Sequence, residues 1–266
     1  MSEPKREDWQ KFWEKKAQSK KQEARSSVSP QVYPSVSDIV GEIIKVCPVL
    51  QNKSILEVGS GTGRDGIELA RRGADVFLLD FSKSGLALSK YFSEEKGVMV
   101  HRIMGNALGT PFQDESFDIV FHQGLLEHFR DPRPLLKENV RLLKKSGILL
   151  VDVPQTFHLY TVMKHIFMFF GKWFAGWERE FTPHQLKRVV ENERFRVIRT
   201  YGYWMRPGLT YRLLREFLGK FNIFLPMYPK WLSGFSNLLY NPVDRISHHR
   251  IVQYTTLTIG VVASKK

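Results

Sequence analysis

Short apolar runs alternate with helix-like segments along most of this chain, and no other feature constrains its fold as strongly. About seven runs are predicted as strands: Ser54–Val58, Val76–Leu79, Val98–Met104, Phe117–Phe121, Ile148–Val153, Phe195–Tyr203 and Tyr254–Ala263. Glycine ends several of the helical segments between them, as at Gly73, Gly97 and Gly147. Because strands separated by helices are joined by right-handed crossovers, this alternation predicts an α/β fold with a parallel sheet covered on both faces.

Three segments fall outside this alternation: residues 1–37, 157–181 and 209–250. The first is expected to hold a short amphipathic helix and a connector, because helical spacing relates Trp9, Phe12, Trp13 and Lys16. Residues 38–266 are expected to form one domain. The N-terminal helix and the two insertions are expected to meet over one end of the sheet and form a helical cap.

The composition bounds the class of protein and its partners. Of the 266 residues, 42% are hydrophobic and 25% are charged, which excludes a disordered chain, a collagen-like fibre and a coiled coil. The 40 Lys and Arg against 27 Asp and Glu give a net charge of +13, which favours nucleic acid, phosphate-bearing substrates or an anionic membrane face as partners.

The single Cys47 can form neither an internal disulfide nor a cysteine-rich zinc site. With a charged N-terminus lacking an apolar signal core, we expect a cytoplasmic location.

A glycine-rich motif follows the first predicted strand and opens a helix, which suits a loop whose backbone approaches a ligand. Two patterns fit it. The dinucleotide fingerprint G-x-G-x-x-G would use Gly61, Gly63 and Gly66, with Asp80 as a ribose acceptor. The pattern E-x-G-x-G-x-G would use Glu57, Gly59, Gly61 and Gly63. The second pattern also accounts for Glu57, because a carboxylate beside the turn suits a ligand with cationic groups better than it suits a pyrophosphate.

Five stretches in order carry a family resemblance: ILEVGSGTGRDGIELARRG, LLDFS, GNALGTPFQDESFDIVFHQGLLEHF, LLKENVRLLKKSGILLVDVPQ and FTPHQLKRVVENERFRVIRTYGY. Together the set resembles the class I S-adenosylmethionine-dependent methyltransferases, particularly the ubiquinone/menaquinone-methyltransferase-like group of small-molecule enzymes. The resemblance covers about residues 38–203 and the final strand. It implies a Rossmann-like, mostly parallel sheet in the order 3-2-1-4-5-7-6, with the last strand antiparallel beside the sixth.

The resemblance also implies which residues bind S-adenosylmethionine. The methionine side would be lined by Glu57, Gly59, Gly61 and Gly63. Asp80 would accept hydrogen bonds from both ribose hydroxyls, and Phe81 would lie against the adenine. Asn106 would meet the adenine amino group, with Ala107 and Leu108 adding backbone and apolar contacts. His122 and Gln123, at the end of the fourth strand, would contribute backbone contacts near the sulfonium. Taken singly, Asp80 could instead be only a helix N-terminal charge and Asn106 only a turn residue.

Methyl transfer needs a general base only when the acceptor starts protonated. Candidates after the fourth strand are His122 and His128, and the first insertion adds His158 and His165. The pair Glu127-His128 resembles a Glu-His pair common in the family. No metal is expected, because one acid beside one histidine supplies too few ligands.

The insertions suggest the acceptor. Residues 157–250 hold 21 of the 34 aromatic residues and 15 Lys and Arg against 6 Asp and Glu. This composition favours an amphipathic or lipid-linked small-molecule acceptor at an anionic membrane face, with the protein peripheral to it. A saccharide or glycan intermediate is the alternative, since GKWFAGWEREFTPHQL resembles cap segments of glycan-pathway methyltransferases. RNA methylation and non-catalytic membrane binding rank lower.

Overall fold

In the part of the chain that the structure describes, seven strands form one sheet. The computed structural model describes residues 7, 10–14, 38–170, 178–204, 208–219, 221, 223, 225 and 246–266. The strands are β1 Ser54–Val58, β2 Asp75–Asp80, β3 His101–Met104, β4 Phe117–Gln123, β5 Leu143–Pro154, β6 Phe195–Tyr203 and β7 Thr258–Lys265. Their order, β3-β2-β1-β4-β5-β7-β6, confirms the expected Rossmann-like arrangement.

The first five strands run parallel, and β7 lies antiparallel between β5 and β6. At the centre, Ile55 of β1 lies beside Val76 of β2 and Ile119 of β4. Both faces of β1 are covered, so its residues after Ser54 are all buried and its sequence shows no polar alternation. The antiparallel final strand confirms the expectation drawn from the family resemblance.

Helices connect and cover these strands. They are α1 Asp38–Val46, α2 Arg64–Arg71, α3 Lys83–Glu95, α4 Arg133–Leu142, α5 Leu159–Phe169, α6 Pro183–Glu191, α7 Leu209–Gly219 and α8 Arg250–Gln253. The start of α6 follows the expected local chemistry. The Thr182 side chain accepts a hydrogen bond from the Gln185 amide, and the Gln185 side chain accepts one from the Thr182 amide.

Two strands differ in extent from the sequence prediction. β5 begins at Leu143 rather than at Ile148, because Leu143 already pairs with Phe117 of β4. A register shift follows this pair, and Ser146 has a φ of 60°. β7 begins at Thr258 rather than at Tyr254. The preceding residues form α8 and a turn, which the buried Gln253 stabilises by donating hydrogen bonds to the Thr200 hydroxyl and the His248 carbonyl.

The predicted insertions are described only in part. The first contains α5 and the second contains α7. Residues 171–177 and most of 220–245 lie outside the described residues, as does most of the predicted N-terminal helix and connector. No helix among the described residues is long and apolar enough to cross a membrane.

Candidate active site

A cavity of about 690 Å³ opens at the carboxyl ends of β1 to β4. Open parallel sheets generally bind ligands at this edge, and the volume lies within the usual range for small-molecule sites. The turn after β1 forms one wall, where Gly59, Gly61 and Gly63 all have positive φ values, between 51° and 68°. At Gly63 a Cβ atom would also lie 2.5 Å from a methyl group of Leu78, so no larger residue fits there.

Asp80 ends β2 with its carboxylate held in a fixed orientation. Its Oδ2 accepts a 2.7 Å hydrogen bond from the Gly61 amide, and its Oδ1 accepts one of 2.7 Å from the Ser82 amide. Burial raises the pKa of this carboxyl, while the backbone hydrogen bonds oppose that shift. Each carboxylate oxygen can accept a further hydrogen bond, so Asp80 can bind two adjacent hydroxyl groups at the cavity wall.

Glu57 lies on the floor of the cavity beside further acidic groups. Its Oε2 accepts a 2.9 Å hydrogen bond from the Gly66 amide. A Cβ atom at Gly66 would lie 2.7 Å from that oxygen. The absence of a side chain at Gly66 therefore makes room for the Glu57 carboxylate, and not for a bound pyrophosphate. Burial, and then the nearby Asp65, raise the pKa of Glu57 well above its usual value.

The charge of the cavity therefore distinguishes the two patterns proposed for the glycine motif. Among the described residues, three carboxyl groups, of Glu57, Asp65 and Asp80, line it together with one arginine, Arg64, which pairs with Asp65. A pyrophosphate would meet repulsion here, whereas a cationic amino group would stabilise the ionised form of Glu57. These residues fit a ligand that carries an amino acid moiety and a ribose.

The wall after β3 is where the family resemblance predicts the adenine to lie. Asn106 and Ala107 line the cavity. Asn106 is also a turn residue, since its Oδ1 accepts a 3.0 Å hydrogen bond from the Leu108 amide. Leu108 is 39% exposed and is not among the lining residues. The turn therefore directs Asn106, and not Leu108, towards the ligand space.

The end of β4 and the turn after it form the opposite wall. Gln123, Leu125, His128 and Phe129 line the cavity there. Gln123 is fixed by a 3.2 Å hydrogen bond from its Nε2 to Oδ2 of Asp152 on β5. His128 is thus a histidine at the ligand space, as the sequence predicted.

His122 is not among the residues that line the cavity, and its side chain is not placed to act as the general base. Its side chain is fully buried and lies 3.2 Å from the Asn139 amide nitrogen. Burial lowers its pKa to about 3, so the ring is neutral. Successive side chains of a strand point to opposite faces, and Gln123 takes the cavity side. Gly63 is likewise absent from the lining and faces Leu78 of the core.

Two buried carboxyl groups near this wall were missed by the sequence analysis as functional candidates. Burial raises the pKa of both Glu127 and Asp152 to about 8. The Tyr201 hydroxyl donates a hydrogen bond to Asp152, which in turn accepts one from Gln123. Sequence gives one weak signal for Asp152, a lone acid at the end of the apolar run ILLVDVP.

Other lining residues were also missed. They are Trp13, Ser60, Thr62, Arg64, Asp65, Leu79, Met104, Gly105, Gly124, Leu125 and Phe129. Most lie one or two positions from a predicted residue, but Trp13 comes from the N-terminal segment. Within the described ranges, no three His, Cys, Asp or Glu side chains are grouped so that they could hold a metal ion.

Comparisons with known proteins agree with this geometry. Residues 56–151 match a methyltransferase domain family. The uncharacterized methyltransferase YbaJ of Bacillus subtilis is 35% identical over 104 residues, or 39% of this chain and 41% of that protein. The ubiquinone biosynthesis O-methyltransferase of Dinoroseobacter shibae is 26% identical over 158 residues, or 58% of this chain and 64% of that protein. The chain thus matches less than two thirds of the length of these relatives.

A solved structure supports the fold. Magnesium protoporphyrin IX methyltransferase from Synechocystis, crystallised with bound S-adenosylhomocysteine, has a TM-score of 0.56 and 13% identity, covering 86% of this chain and 80% of that one. Residues 56–151 therefore form a methyltransferase domain, and the family match together with the residues that line the cavity indicates S-adenosylmethionine as its cofactor.

Proposed function

We propose that this chain methylates a small acceptor with an apolar body, amphipathic or lipid-linked, at or near an anionic membrane surface. When bound, S-adenosylmethionine supplies a methyl group already activated by its positively charged sulfur. One observation carries the proposal for the acceptor. The helix α5, in the first insertion, has polar residues on its inner face and apolar residues on its outer face.

The inner face of α5 holds a buried charge. Lys164 is 2% exposed, and its Nζ lies 2.8 Å from Oε2 of Glu178 and 2.6 Å from Oε1 of Glu180. Thr161, also buried, donates a 2.6 Å hydrogen bond to the Gln155 carbonyl. Breaking a buried ion pair is strongly unfavourable, so these contacts fix which side of the helix faces inward.

The outer face of α5 is an exposed apolar stripe. Leu159, Val162, Ile166 and Phe169 follow one another at helical spacing and are 62%, 51%, 53% and 85% exposed. Burying such a side chain fully is worth about 1.5–3 kcal/mol, so a stripe left in water favours contact with an apolar ligand or surface. The helix α7 adds Leu213, Leu214 and Phe217, each about half exposed.

The net charge supports an anionic surface as the setting for this contact. Each Lys or Arg near an anionic bilayer contributes about 1 kcal/mol of attraction, which salt weakens. The chain carries a net charge of +13. An apolar stripe on a basic protein is the combination typical of proteins that bind at a membrane interface.

In the proposed reaction, the residues of this chain bind, orient and shield the reactants. Asp80 and Glu57 hold the ribose and the amino acid moiety, while Asn106 and Ala107 meet the adenine. The apolar side chains Leu125 and Phe129 exclude water from the acceptor end. Where the acceptor begins as a phenol, enol or alcohol, His128 would accept its proton at a ring nitrogen. The acceptor oxygen would take the methyl group from sulfur, and the sulfur would leave as a neutral thioether.

A labelled-cofactor experiment tests the acceptor class. The protein is incubated with methyl-labelled S-adenosylmethionine and cell extract, and the label is then followed into lipid, sugar, small polar and RNA fractions. We expect label in the lipid fraction. Transfer only to water-soluble sugars would overturn the proposal and favour the glycan alternative, which rests on the segment 171–186. Label in RNA, with binding that falls steeply as salt rises, would also overturn it.

Vesicle co-sedimentation tests the surface contact. We expect binding to phosphatidylglycerol vesicles and not to phosphatidylcholine vesicles, weakened by salt and by Ile166→Ser or Phe169→Ser. Met99→Ser is the matched control, because Met99 is 88% exposed but lies far along the chain from both insertions. Equal sedimentation of all three variants and the unaltered protein would argue against a role for α5.

A further inference from the structure

A second feature of the cavity concerns the N-terminal segment, residues 10–14. These residues are helical and lie against the glycine turn, although about fifty positions separate the two along the chain. Trp13 is half-buried and lines the cavity together with Gly61, Asp80 and Phe81. From sequence, this helix is expected to pack on the domain as part of the cap, with no ligand contact assigned to Trp13.

The contact between Trp13 and Gly61 is close. A Cβ atom built on Gly61 would lie 2.4 Å from Cζ2 of Trp13 and 2.7 Å from its Cη2. The six-membered ring of the indole therefore packs directly on the Gly61 Cα, where no other residue type leaves room for it. Phe12 supports the indole from the side, with ring centroids 5.0 Å apart in an edge-to-face arrangement.

Hydrogen bonds between the Gln10 side chain and two serines of the β2–α3 region hold the segment in place. The Gln10 Nε2 donates to the Ser84 hydroxyl at 2.8 Å, and the Ser82 hydroxyl donates to the Gln10 Oε1 at 3.1 Å. Ser82 is the residue whose amide binds Oδ1 of Asp80. The segment is thus joined through one residue to the carboxylate expected to bind the ribose.

We propose that Trp13 is a further cofactor-binding residue and that Gln10 positions it, so that residues 10–14 close over bound S-adenosylmethionine and must move for it to exchange. The indole offers a large apolar face beside Asp80 and Phe81, which suits a nucleoside ligand with a flat base and a sugar. This inference rests on the cofactor and not on the proposed acceptor. Its test therefore uses no acceptor.

The test measures binding of S-adenosylhomocysteine to the full chain by calorimetry and stopped flow. We expect Trp13→Ala to raise the dissociation constant about five- to tenfold, as loss of one aromatic contact predicts. Gln10→Ala should speed dissociation about threefold, in keeping with the loss of neutral hydrogen bonds. Lys11→Ala is the matched control, since Lys11 is exposed in the same segment and is not a lining residue.

Fluorescence separates a cofactor contact from a merely structural role. In Trp13→Phe the apolar contact is largely retained, so the variant should fold and bind within about threefold of the unaltered protein. We expect ligand binding to quench tryptophan fluorescence in the unaltered protein, and this quenching should be lost in Trp13→Phe. Unchanged or tighter binding by Trp13→Ala, or undiminished quenching in Trp13→Phe, would overturn the proposal.

Discussion

The backbone amide of Gly61 donates a 2.7 Å hydrogen bond to Oδ2 of Asp80, so the glycine turn after β1 and the carboxylate that ends β2 are held as one unit. Trp13 also packs on Gly61, so the N-terminal segment, the turn after β1 and the end of β2 meet at this pair. A change at Asp80 should therefore affect both the ligand hydrogen bonds and the shape of the turn.

Replacing Asp80 tests that unit directly. We expect Asp80→Ala to weaken S-adenosylhomocysteine binding by about 1.5–3 kcal/mol, because hydrogen bonds to a charged acceptor are lost. Calorimetry measures the change. Asp75→Ala is the control, since Asp75 begins the same strand, is exposed and bonds His101 outside the cavity. Equal effects of the two substitutions would show that Asp80 has no special role in binding.

The raised pKa of Glu57 predicts a pH dependence of cofactor binding. A cationic amino group stabilises the ionised carboxylate, so at low pH binding must first remove a proton from Glu57. Affinity for S-adenosylhomocysteine should therefore fall as the pH is lowered through the raised pKa of Glu57. Glu57→Gln should bind more weakly at the higher pH and show a flatter profile. A parallel profile in this variant would assign the pH dependence to another group.

The two histidines near the end of β4 should respond differently to substitution. If the acceptor begins protonated, His128→Ala should lower kcat about a hundredfold or more while leaving the affinity for S-adenosylhomocysteine within about twofold. His122→Ala should instead lower the free energy of unfolding by about 1–3 kcal/mol, because it leaves the buried Asn139 amide without this contact. Initial rates and thermal melts of both variants separate the roles. A native melt with lost activity in His122→Ala would contradict the assignment.

The buried carboxyls predict how stability changes with pH. Burial raises the pKa of Glu127 to about 8, and an unfolded chain would release this proton near pH 4. Between these values the folded state holds the proton, so the free energy of unfolding should fall as pH rises, by about 1.4 kcal/mol per pH unit. Denaturant unfolding at several pH values should show a shallower fall for Glu127→Gln. Glu95→Gln, on the exposed surface of α3, should leave the slope unchanged.

The sequence predicted the sheet well because buried parallel strands are continuous apolar runs, as in Ser54–Val58, and glycines mark where helices end. For the same reason, the sequence did not indicate which side of the sheet the His122 and Gln123 side chains point to. Strand β4 is largely buried on both faces, so no clear polar alternation shows which of its last two residues reaches the cavity. The place of Trp13 could not be predicted either, because its contact with Gly61 depends on tertiary packing and not on local spacing.

The ion pairs of Lys164 with Glu178 and Glu180 set the rotational phase of α5. One residue of an α-helix corresponds to about 100° of rotation. Inserting or deleting a single residue between Leu159 and Lys164 would therefore turn Leu159 and Val162 away from the stripe while Lys164 stayed anchored. The length of this short stretch is thus as tightly constrained as its composition, and natural variation there should occur by substitution and not by insertion.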